Sequence, residues 1–191
     1  MGKAPDPKIR SLVRHMTHSG FLTATLLAGS LLASSLARAD DGPVVMVVGD
    51  SLSAAYGIAE RDGWVALAER ALQEEYPGIA FVNASISGDT TVGGLRRLPD
   101  ALERFEPDVV VIELGGNDGL RGYPPDNLRQ NLEQMATLAT DAGAEVLILG
   151  MQIPSNYGEA YTTRFRETFG QAAEATDSAL VPFMLEPIAT D

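Results

Sequence analysis

The stretch VVMVVGDSLSAAYG, residues 44–57, runs five apolar residues, four of them β-branched, straight into a Gly-Asp-Ser corner. A continuous apolar run of this length suits a strand buried on both faces, the habit of a parallel sheet covered by helices on each side. The pattern recurs at 79–82, 109–114, 146–149 and 180–183. Between these runs, 63–76, 91–105, 125–142 and 157–175 carry helical spacing. In the third, Leu128, Leu132, Met135, Leu138 and Ala139 recur at three- and four-residue steps, with Arg129, Gln130, Glu133 and Gln134 opposite and Gly143 closing the helix. Strand and helix alternating through the chain imply βαβ units, hence an α/β fold with a parallel sheet and helices on both faces. In such sheets ligands sit outside the carboxyl ends of the strands.

The first 39 residues read as an export signal. Lys3, Lys8, Arg10 and Arg14 precede an apolar stretch at 21–36, and Ala37-Arg38-Ala39 gives the small-x-small pattern cut by a signal peptidase, with cleavage expected before Asp40. The stretch is interrupted by Thr23, Thr25, Gly29, Ser30, Ser34 and Ser35, a weak match to the roughly 20 apolar residues of a membrane span. An uncleaved N-terminal anchor is the alternative. The expected mature domain, 40–191, is therefore periplasmic or secreted, with no stable membrane span, and suits one core.

Removing residues 1–39 lowers the Lys and Arg count from 14 to 9 and the Asp and Glu count from 26 to 25, leaving 9 against 25 and a net charge of −16. Such a field repels phosphate backbones, so nucleic acid is not an expected partner. Cysteine is absent, which excludes disulfides, a thiolate nucleophile and Cys-type zinc sites. Both histidines, His15 and His18, lie in the export segment, so no His-based metal site is expected in the domain, and no cofactor is implied.

The ends of the first three strands share a chemistry. The first ends in Gly49-Asp50-Ser51-Leu52-Ser53, where Ser51 precedes a helical turn and serves equally as a cap for that turn or as a nucleophile. Asp50 cannot serve its neighbour as a base, because adjacent side chains on a turn diverge, and is expected to tie down the turn. The second carries Gly88, which lets a backbone N–H approach a ligand or marks an ordinary loop. The third is Gly115-Gly116-Asn117-Asp118-Gly119, where two glycines permit a tight, exposed backbone and Asn117 offers an uncharged donor, or a plain turn. If the three converge, Ser51 becomes a nucleophile, and its own N–H, the Gly88 N–H and the Asn117 amide form an oxyanion hole for acyl transfer.

The blocks GDSLS at 49–53, NASISGDTT at 83–91 and ELGGNDGLRG at 113–122 resemble the first three blocks of the SGNH, or GDSL, hydrolases. QIPSNYG at 152–158 resembles the branch of periplasmic bacterial thioesterases also described as lysophospholipases and arylesterases. The resemblance implies a three-layer α/β/α flavodoxin-like fold with a parallel five-stranded sheet, Ser51 as nucleophile, and Gly88 and Asn117 as oxyanion donors. The implied substrates are acyl thioesters, aryl esters and lysophospholipids. The loop at 119–124 would be the family's lid over the acyl group, with Leu120 and Tyr123 in it, unless Pro124-Pro125 make it a rigid turn. Ile153 and Tyr157 are candidates for lining the acyl site, with a core role the alternative for Ile153.

The family's fourth block, an Asp-x-x-His that supplies the base and the acid orienting it, has no counterpart before Asp191, and the family's final helix has none either. The expectation is that 40–191 is a C-terminally incomplete domain. A true truncation, or a catalytically inactive module that binds an anion or acyl ligand, are the alternatives.

Overall fold

The side chains of the central strands explain the layering. The computed structural model describes residues 42–186, 188 and 189; the segment read as an export signal lies outside the described residues. Five strands, β1 (Val44–Gly49), β2 (Ala80–Asn83), β3 (Val109–Glu113), β4 (Glu145–Leu149) and β5 (Ala179–Val181), form one sheet. All pair parallel, in the order β2-β1-β3-β4-β5. Successive residues point to opposite faces, and both faces are apolar. Met46, Val48, Val110, Ile112, Val146 and Ile148 enter one buried cluster, Val45, Val47, Val109 and Val111 the other.

Five helices complete the layers: α1 (Trp64–Glu75), α2 (Thr91–Phe105), α3 (Gly116–Leu120), α4 (Pro125–Asp141) and α5 (Glu159–Ala175). Leu98 and Leu102 of α2, Leu128, Leu132 and Met135 of α4, and Phe165 and Phe169 of α5 fill the first cluster, with the two phenylalanine rings edge to face at 5.3 Å. Trp64, Val65 and Leu72 of α1 pack on the second. The expected α/β architecture with a parallel five-stranded sheet is the observed one.

Boundaries moved for identifiable reasons. The last strand lies at Ala179–Val181, not 180–183, because Pro182 has no N–H to extend a ladder. The last helix starts at Glu159, not at 157, because Gly158 has φ 90°, and Ser155–Tyr157 form a separate 3-10 turn. Helix α4 ends at Asp141, with Gly143 just beyond it at φ 91°, as the sequence indicates.

From β1 the chain passes to β2 on one side and then to β3 on the other. The crevice outside the carboxyl ends of β1 and β3 is thus the switch point where such a sheet holds ligands. Gly49 and Glu113, the last residues of those strands, lie side by side in register.

Candidate active site

Beyond Gly49 the chain winds into turns. The Ala54 N–H donates to the Asp50 carbonyl (2.9 Å), and the Tyr56 N–H to the Ser51 carbonyl (3.1 Å). The helical turn expected after Ser51 does not grow into a helix, because Ala55 (φ 55°) and Gly57 (φ 81°) adopt left-handed backbone. Asp50 ties the turn down as expected, its Oδ1 accepting the Leu52 N–H at 3.0 Å. Ser51 is half-buried, and its hydroxyl has no hydrogen-bond partner among the described residues, so it caps nothing there.

Asn117 is the second residue of α3, a helix of five residues whose glycines hid it from the periodicity. Its amide Nδ2 donates to Asp50 Oδ2 at 2.9 Å, which fixes the side chain and leaves the second amide hydrogen uncommitted. The paired glycines before it are not exposed, contrary to expectation. A Cβ on Gly115 would stand 3.0 Å from Leu128 and Phe169, and one on Gly116 3.0 Å from Met151, so this backbone is tight because it packs on the core. Asp118, buried, accepts from the Thr91 N–H (2.9 Å) and hydroxyl (2.6 Å), joining α3 to the start of α2. Burial raises the pKa values of Asp50 and Asp118.

Gly88 lies on the loop after β2, at φ 78°, a conformation that favours glycine. The loop is held against β1 by the Ile86 N–H on the Gly49 carbonyl (3.0 Å), and by Arg97, which pairs with Asp89 (2.8 Å) and reaches the Ala84 carbonyl. Gly88 is exposed, and its carbonyl accepts from Arg121 Nη2 at 3.1 Å.

Ser51, Leu52, Asn117, Leu120, Met151 and Ile153 are among the residues around a cleft of about 300 Å³. The structure therefore brings Ser51, Asn117, Leu120 and Ile153 together; Ile153 also packs against the main core. Gly88, Tyr123 and Tyr157 do not line the cleft. The Tyr157 hydroxyl instead donates to the Leu120 carbonyl (2.9 Å), and the Tyr161 hydroxyl to the Tyr123 carbonyl (2.7 Å), so segment 119–124 is fastened from α5 and the turn before it. Gly119 is no free hinge: a Cβ there would stand 2.6 Å from the Phe165 ring.

One residue of the site was not nominated from the sequence. Glu113 is fully buried, and its Oε2 accepts from the Ser53 hydroxyl (2.5 Å) and the Asp50 N–H (3.2 Å), while Oε1 has no partner among the described residues. Trp64 Nε1 in turn donates to Ser53 Oγ at 3.1 Å. Burial, with Asp50 adding like charge, pushes the Glu113 carboxyl up to about 7. The available signal was a lone acid ending an otherwise apolar strand, since a buried charge needs partners.

Glu113 also explains Gly49. A Cβ there would meet Glu113 Oε2 at 2.6 Å, Ser53 Oγ at 2.6 Å and Ser53 Cβ at 2.7 Å. These groups are hydrogen-bonded and cannot swing aside. Gly49→Ala is expected to destabilise the fold by about 2–3 kcal/mol through overpacking. Urea unfolding reads this directly, and a change below about 0.5 kcal/mol, the ordinary surface range, would mean the neighbours yield freely.

A family model, the GDSL-like lipase/acylhydrolase family, matches residues 47–191. Esterase TesA of Pseudomonas aeruginosa is 49% identical over 167 residues, which span 87% of this chain and 83% of that protein. The thioesterase 1/protease 1/lysophospholipase L1 of Escherichia coli K12 is 40% identical over 151 residues, 79% of this chain and 71% of that one. A crystal structure of TesA superposes with a TM-score of 0.75 at 51% identity, covering 78% of this chain and 82% of that chain.

Proposed function

The chain belongs to the GDSL-like lipase/acylhydrolase family, and from that premise we propose that it is an exported esterase and thioesterase working through an acyl–Ser51 intermediate. It is a carboxylic ester hydrolase, and its substrates are small-molecule esters. The observation that carries the mechanistic reading is the pairing of Ser51, with an uncommitted hydroxyl, and Asn117, with an oriented amide, on one cleft with apolar walls.

Ser51 Oγ attacks the acyl carbonyl. The oxyanion that forms accepts from the Ser51 N–H, the Gly88 N–H and Asn117 Nδ2, and the bond from Asn117 Nδ2 to Asp50 orients that amide in advance. The acyl chain lies along Leu120, Met151 and Ile153. The alcohol or thiol leaves, and water hydrolyses the acyl-serine. Thioesters, aryl esters and lysophospholipids share this acyl carbonyl. Export rests on residues 1–39, and no helix among the described residues is long and apolar enough to cross a membrane.

The base is not a described carboxylate: Asp50 is committed to Leu52 and Asn117, and Glu113 faces Ser53. The Ser51 proton passes to a general base outside the described residues, which returns it to the departing alcohol or thiol. A second reading is a domain that holds an anion or acyl ligand without turning it over, a use that the Ser51 hydroxyl and the oriented Asn117 amide on one cleft would also serve.

Treatment of the protein with a p-nitrophenyl alkylphosphonate, followed by peptide mass mapping, separates the two. Stoichiometric phosphonylation of Ser51 is expected. An unlabelled Ser51 in folded protein that still binds a fatty acid would overturn the acyl-serine reading in favour of the second.

A further inference from the structure

We propose that Glu113 is a positioning residue for ester hydrolysis, a buried carboxyl that sets the nucleophile turn through Ser53 and the Asp50 N–H, and the Asn117 amide through Asp50. The kinetic part of this proposal rests on the serine-esterase reading.

The geometry is a chain of contacts with Glu113 at its root. Oε2 holds the Asp50 N–H on one side of Ser51 and the Ser53 hydroxyl on the other. The two residues between them, Ser51 and Leu52, therefore have both flanks tied to one carboxyl oxygen. Asp50 then divides its own oxygens between the Leu52 N–H and Asn117 Nδ2. The Ser53 carbonyl takes Asn83 Nδ2 at 2.7 Å, and Asn83 Oδ1 takes the Ser85 N–H at 3.2 Å, so the loop that bears Gly88 hangs on the same turn. A shift at Glu113 is thereby transmitted to the nucleophile and to both proposed oxyanion donors that lie outside the turn.

The burial is costly and the pairing incomplete, because Oε1 is buried without a partner among the described residues. That arrangement suits a carboxyl protonated on Oε1, leaving Oε2 as acceptor for both donors. On ionisation the Ser53 and Asp50 bonds become charge-assisted and tighten. The charged groups around it are Asp50 at the end of β1 and, acting on Asp50, Asp89 and Asp118. Arg97 reaches the Gly49 carbonyl at 3.4 Å while paired with Asp89. Glu60 and Glu69 line a small cavity beside Ser53, and from α1 only the uncharged Trp64 indole enters the chain of contacts. The carboxyl is neutral below about 7 and ionised above it, so the two bonds to Oε2 strengthen as pH rises, while the buried charge beside Asp50 costs the fold stability over the same range.

Trp64 is the chain's single tryptophan and bonds to Ser53, which makes its emission a direct reporter that needs no turnover. In wild type and in Ser51→Ala, the fluorescence is expected to titrate with a midpoint near 7. In Glu113→Gln, which keeps one acceptor oxygen, the transition should vanish. With p-nitrophenyl butyrate, Glu113→Gln should lower kcat by up to about 100-fold at unchanged KM, the effect of misplacing a reacting group by about 1 Å.

Should Glu113→Gln fail to fold, Ser53→Ala severs the same link and is expected to give the same split. A Trp64 transition that persists in the folded variant, or an unchanged kcat, would overturn the proposal. Failure of the esterase reading would show separately, as hydrolysis that survives Ser51→Ala while the fluorescence transition stays intact.

Discussion

Replacing Ser51 by alanine is expected to lower kcat for p-nitrophenyl ester hydrolysis by about 10⁶-fold, the scale on which loss of a serine nucleophile acts. The fold should not notice. The Ser51 hydroxyl has no partner among the described residues, and the bonds that shape the turn come from its backbone and from Asp50 and Ser53. The variant is therefore expected to keep the Leu52, Met151 and Ile153 walls and its grip on ligand while losing the atom proposed to form the acyl bond. Steady-state kinetics together with thermal unfolding check both halves. Hydrolysis within tenfold of wild type, about 1.4 kcal/mol of barrier, would exclude Ser51 as the nucleophile.

Asn117→Ala is expected to cost about 10²–10³ in kcat with little change in KM, because its amide is worth most when charge has developed on the carbonyl oxygen. Asn117→Asp should fall at least as far. That substitution keeps the shape but sets a second carboxylate where Nδ2 now lies 2.9 Å from Asp50, and turns a donor into an acceptor facing an oxyanion. Parallel kcat and KM measurements on both variants decide the matter. A kcat left near wild type in Asn117→Ala would exclude the amide as an oxyanion donor.

The sheet was legible because its strands are buried on both faces, and runs such as 44–48 and 109–114 advertise that without periodicity analysis. The helices α2 and α4 were equally legible from their stripes. The sequence also pointed to Ser51 and Asn117 as neighbours, since parallel strands put their carboxyl ends on one edge. What it could not convey was the packing beneath the site. Glu113 looked generic, and only the register that sets it against Gly49 makes it a support for the turn. Helix α3 escaped because five residues with two glycines carry no amphipathic signal. Tyr157, a candidate for lining the acyl site, stands outside the cleft, with its hydroxyl on the Leu120 carbonyl and its ring 6.4 Å from that of Tyr161.

Segment 119–124 is clasped in an unusual manner. Both tyrosine hydroxyls grip main-chain carbonyls, at Leu120 and Tyr123, so the clasp follows the path of the chain and is indifferent to the side chains mounted on it. The residue at 120, which lines the cleft, can therefore be exchanged without releasing the clasp. The path of this segment and the side chain it presents to the cleft are separate parts of the protein, free to change independently.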